Sequence, residues 1–120
     1  MRFLIYLTRG PKWKEEVSLH NQPFMPEHAV YVQKKFDEGK ILLAGPFGDQ
    51  TGGAIIIDAE SEKEALKFAL SDPAVINGSF TYQLKPWEGL MSKLENRNPQ
   101  FGQEYIDFKH GVQKELGIIY

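Results

Sequence analysis

The chain reads as an α+β protein: a ferredoxin-like β-α-β-β-α-β unit with an antiparallel sheet, followed by a C-terminal extension of helical pattern. Three observations predict it. Four short apolar runs and two amphipathic stretches occur in the order of a split βαβ motif. The second and third strand runs are joined by so short a connection that they should pair antiparallel. A length of 120 residues suits one compact domain with a core rather than two.

Arg2 to Thr8 (RFLIYLT) is rich in β-formers and stopped by Arg9, Gly10 and Pro11, which makes it the first strand. Phe3, Ile5 and Leu7 fall on one side and Leu4 and Tyr6 on the other. A strand apolar on two sides is central, with something covering each face. Gly10 to Pro26 is a mixed loop in which Trp13 is expected to pack as a lid over the core.

Pro26 and Glu27 suit a first helical turn, because proline loses no bond there and an acid meets the positive end of the helix. Ala29, Val32 and Phe36 then recur at helical spacing, Val30 and Tyr31 widen the stripe, and Gly39 supplies the stop. Lys40 to Ala44 is the second strand, Gly45 to Gly53 (GPFGDQTGG) a turn-rich segment, and Ala54 to Asp58 the third strand. Ser61 with Glu64 forms a capping box that opens a second helix, running to about Leu70. Ser71-Asp72-Pro73 and a short turn to Gly78 lead into the fourth strand, Ser79 to Lys85, closed by Pro86 and Trp87.

Right-handed crossovers place both helices on one sheet face. The other face is then apolar and uncovered, which predicts a homodimer formed through it. Residues 1–87 are expected to form this domain. In the extension, 88–120, Tyr105, Phe108, Val112 and Leu116 follow helical spacing, and Ile118 to Tyr120 could form a docking strand or tail. The extension is expected to pack on the same domain or on a dimer partner.

Composition excludes several classes of function. With a formal charge of −2 there is no basic field for nucleic acid. The absence of cysteine removes disulfides, thiolate nucleophiles and thiolate metal sites, and fits a reducing cytoplasm. The first apolar run is too short for a signal peptide, and no run approaches membrane-spanning length. His20, His28 and His110 lack the spacing of a local metal motif, and the glycine-rich segment precedes a strand without a Walker lysine. Neither metal nor cofactor is expected.

The topology also gathers residues. His28 opens the first helix at the sheet end where the first strand finishes; Gly45 to Gly53 and Asp72 return to the same rim. A histidine beside a carboxylate is a general acid–base pair, the acid fixing the ring tautomer. From the residues alone the plainer reading leads: Asp72-Pro73 as a helix N-cap followed by proline, His28 as a surface or helix-end residue, and Gly45 and Pro46 as turn geometry.

His28 at the head of a helix, then FDEGKILLAGP, the SEKEA helix start, the Asp72-Pro73 pair and a strand ending in Pro86-Trp87 resemble the YCII-related family over roughly residues 1–87. The resemblance implies a dimeric ferredoxin-like α+β fold, a His-Asp dyad at His28 and Asp72, and a pocket lined by Gly45 and Pro46. The long loop after the first strand and the C-terminal extension depart from the short family pattern and could reshape that pocket. Two functions are then open. One is a cofactor-independent acid–base enzyme, of isomerase or lyase type, acting on a small organic molecule. The other is a non-catalytic small-molecule-binding or dimeric accessory module.

Overall fold

The computed structural model describes residues 1–94, 100 and 102–118. The expected tail at Ile119 and Tyr120 lies outside the described residues. The elements run β1 (Arg2–Arg9), α1 (Met25–Asp37), β2 (Ile41–Pro46), β3 (Gly52–Asp58), α2 (Glu62–Leu70), α3 (Pro73–Ile76), β4 (Phe80–Pro86) and α4 (Gln103–Glu115). The sheet order is β2-β3-β1-β4 with every neighbouring pair antiparallel. This is the ferredoxin-like α+β arrangement, with β1 and β3 central. The chain divides into two compact units, Met1–Glu88 and Gly89–Tyr120.

Alternation decides which side of the sheet becomes core. Phe3, Ile5 and Leu7 of β1 and Ile55 and Ile57 of β3 are buried with Met25 of α1 and Ala65, Phe68 and Ala69 of α2. The opposite face of β1 is only half covered within the chain: Leu4 is partly buried and Tyr6 is 39% exposed. Two-sided apolar character therefore places β1 in the centre without being matched by two-sided burial in the single chain.

Helix α1 starts after Phe24, which adopts a left-handed conformation (φ 65°), and carries Pro26 in its first turn. It ends in a Schellman motif: Gly39 (φ 80°) donates to the Phe36 carbonyl and Lys40 to the Lys35 carbonyl. Ser61 caps α2 by accepting from the Glu64 amide at 3.1 Å, and Glu64 in turn accepts from the Glu60 amide. The turn after α2 is itself a four-residue helix, α3, opened by Asp72.

Strand edges depart from the sequence pattern at the β2–β3 hairpin. Gly45, Pro46, Gly52 and Gly53 belong to the strands, so the connection is shorter than the run of turn-forming residues implies. The glycines fit there for a steric reason. A Cβ on Gly52 would lie 2.0 Å from the Leu7 carbonyl oxygen, and one on Gly53 would lie 2.7 Å from that of Gly45. In the second unit, α4 exposes Tyr105 and Phe108, and its C-cap Leu116 is exposed too, with the Lys109 ammonium 5.7 Å from the Tyr105 ring centre.

Candidate active site

Asp72 follows Ser71, the C-cap of α2, and opens α3, and its side chain is 2% exposed. A buried carboxylate must have its oxygens satisfied, and here the two oxygens have different partners. Oδ1 accepts from the Ala74 amide at 2.9 Å, the N-cap bond of α3, with Pro73 in the first turn. Oδ2 lies 2.6 Å from Nδ1 of His28. The cap reading of Asp72-Pro73 and its pairing with His28 thus hold together on a single carboxylate.

The ring orientation of His28 follows. A carboxylate oxygen can only accept, so Nδ1 carries the proton and donates it to Asp72. The ring meets Phe80 edge-on at 5.5 Å and 82°. The side chain keeps 19% exposure, and Nε2 has no hydrogen-bond partner among the described residues. Nε2 is therefore the nitrogen available to a ligand.

Helix α1 is tied to the α2–α3 corner by Tyr31, one turn beyond His28. Its hydroxyl donates to the Phe68 carbonyl at 2.7 Å and its ring packs 5.4 Å from that of Phe68. Burial first, then the negative charges of Asp72 and Glu38, push this phenol up to about 12. A neutral, hydrogen-bonded tyrosine thus fixes the helix that carries His28 against the turn that carries Asp72.

His28 opens onto a cavity of about 660 Å³ between α1 and the β2–β3 side of the sheet. Gly45 and Pro46 line it, and Asp72 stands behind His28 in the protein interior. All four residues singled out in the sequence are therefore found at one locality, three on the wall and one supporting it. The walls are otherwise mainly apolar, with Met25, Val32, Phe36 and Ala44 among them. Phe36 is half exposed because α1 rests on the α3 corner and leaves its own apolar stripe open toward the cavity.

Several contributors are not evident in the sequence. Tyr31 belongs to the apolar stripe of α1, and only its position three residues after His28 hints at a shared role. His20 and Leu19 reach the cavity from a 3-10 turn (Leu19–Asn21) within the long loop. That turn is organised by Gln22, which no spacing rule would single out. Among the described residues no cluster of histidine, aspartate and glutamate could hold a metal ion, and no helix is long and apolar enough to cross a membrane.

Comparisons with known proteins bear on the family and the fold. The chain is 35% identical over 68 residues to the Bacillus subtilis (strain 168) protein "Uncharacterized protein YjpA", covering 57% of this chain and 80% of that one. It is also similar to a solved structure of 5-chloro-2-hydroxyhydroquinone dehydrochlorinase (TftG) from Burkholderia phenoliruptrix AC1100, in complex with 2,5-dihydroxybenzoquinone. That likeness has a TM-score of 0.55 and 27% identity, over 73% of this chain and 94% of the other. The model of the YCII-related domain matches residues 1–88. With most of its length inside that match, and with the sheet order described above, the chain belongs to the YCII-related family.

Proposed function

We propose that the protein is a cofactor-independent acid–base enzyme acting on a small organic molecule, with His28 as proton carrier and Asp72 as its orienting partner. The observation that carries this reading is the 2.6 Å bond from His28 Nδ1 to a buried carboxylate, made at the wall of a largely apolar cavity. Held in that tautomer, Nε2 accepts a proton from a carbon beside a carbonyl, and Asp72 balances the imidazolium that forms. The electron pair released moves into the carbonyl as an enolate. Return of the proton at another carbon gives isomerisation; departure of an anionic substituent with its bonding pair gives elimination. The dehydrochlorinase activity of the similar solved structure supports the second outcome.

Solvent deuterium exchange tests this whatever the product. Hydroxylated quinones and cyclic ketones incubated with the protein in heavy water are read by NMR for loss of a carbon-bound proton. We expect exchange on at least one of them, slowed about 10²–10⁴-fold in His28→Ala and in Asp72→Asn. Turnover untouched in both variants ends the proposal.

One observation favours a second reading. Because Oδ1 of Asp72 caps α3, the carboxylate has a structural task whether or not chemistry occurs. A non-catalytic binding module would take up ligand in the same cavity with no exchange in any compound. In either case the uncovered sheet face supports a homodimer, and the cysteine-free sequence a cytoplasmic setting.

A further inference from the structure

The long loop after β1 is held by hydrogen bonds that have no other evident purpose than to fix its path. Gln22 is 1% exposed, and both ends of its amide are engaged: Oε1 accepts from the Lys14 amide at 2.8 Å, and Nε2 donates to the Lys14 and Val17 carbonyls at 2.6 and 2.7 Å. The Ser79 hydroxyl donates to the Pro23 carbonyl, and Trp13 stacks on Phe80 at 6.2 Å. A buried polar network of this kind specifies one conformation, since leaving any member unpaired is costly. The conformation it specifies brings His20 to the wall of the same cavity as His28.

The cavity's polar side chains, among the described residues, are His20, His28 and Gln33; no lysine, arginine, aspartate or glutamate lines it. Such a wall carries no lysine or arginine to neutralise a carboxylate or a phosphate, and it offers hydrogen-bonding imidazole and amide groups around an apolar interior. From this we infer that His20 is a second ligand-binding residue, and that the ligand is an uncharged ring carrying at least two oxygen substituents. One oxygen meets Nε2 of His28 and another meets the His20 imidazole. The inference rests on the reading of this cavity as the substrate site, and adds to it a second polar pole and a class of ligand.

Hydroquinone and phenol, which differ by one hydroxyl, test it when titrated against the full chain with binding followed by NMR. The wild type is expected to bind hydroquinone more tightly than phenol. His20→Ala, a change at an exposed position, should weaken hydroquinone about tenfold, the worth of one hydrogen bond, and leave phenol unchanged. His28→Ala should weaken both. In the wild type, hydroquinone should also shift the His20 ring signals. Equal losses for the two phenols in His20→Ala, or no loss for either, overturn the role of His20 and leave the His28 site standing. Binding of neither phenol to the wild type overturns the reading of the cavity together with the inference.

Discussion

At the scale of single residues, Asp72 carries two tasks on two oxygens, and the tasks can be separated by substitution. Asparagine is as good an N-cap as aspartate. In Asp72→Asn the single oxygen is expected to keep the Ala74 amide, which turns the NH2 group toward His28. Nδ1 must then accept, and the ring proton moves to Nε2, the position that has to be empty for a base. Nitrogen-15 NMR of the imidazole should therefore report a tautomer switch in a protein of nearly unchanged stability; an unswitched ring would show that Asp72 does not set the tautomer. Asp72→Ala removes the cap as well, which costs about 0.5–2 kcal/mol on denaturant unfolding. Tyr31 gives a prediction with a pH sign. Its folded value of about 12 stands above the ordinary 10.0. The stabilisation is complete below pH 10.0 and is lost as pH rises toward about 12, where the folded phenol finally ionises. Ultraviolet titration should show a late phenolate that is absent from Tyr31→Phe.

At the scale of elements, the β2–β3 hairpin distinguishes glycines that look alike in the sequence. A methyl group on Gly52 would meet the Leu7 backbone at 2.0 Å inside a paired sheet, whereas one on Gly45 would meet nothing within 4 Å. Gly52→Ala should cost about 1–3 kcal/mol, as overpacking does. Gly45→Ala should stay within about 0.5 kcal/mol by the same denaturant measurement. Reversal of that order would show that the hairpin can shift to make room. GPFGDQTGG by itself said only that a turn was near, because clash with a neighbouring strand is a property of pairing and not of local composition. The elements themselves were legible: the periods of α1 and α2, the capping box at Ser61 and the stop at Gly39 all rest on interactions within a few residues. The rim on which His28 and Asp72 meet was legible from topology. What was not legible follows no regular spacing: the Tyr31 bond to Phe68, far along the chain, and the Gln22 network, which folds an irregular loop back on itself. Gln22→Ala strands the Lys14 amide and two carbonyls, and should cost about 1–3 kcal/mol.

At the scale of the whole molecule, the unmet demand is the second face of the sheet. Leu4 pairs with Ile56 and Tyr6 with Ala54 across the central strands, and Leu43, 56% exposed, extends the same surface onto β2. Tyr6 packs against Phe47 at 5.1 Å, so the patch continues past the strand end. On the β4 side the face turns polar at Thr81, Gln83 and Lys85. An apolar centre bounded by a polar edge is the pattern of a surface buried against a partner, and the proposed second copy would cover it about a twofold axis. Such an axis makes a sharp prediction, because any charge introduced near it appears twice and faces its own copy. Sedimentation of the wild type should give a dimer, and Tyr6→Lys should give a folded monomer with its circular dichroism retained. Lys85→Ala, at the polar edge, should leave the dimer intact. A wild type that sediments as a monomer would break the link between the uncovered face and self-association. The same result for Tyr6→Lys and Lys85→Ala would move the interface off the central strands.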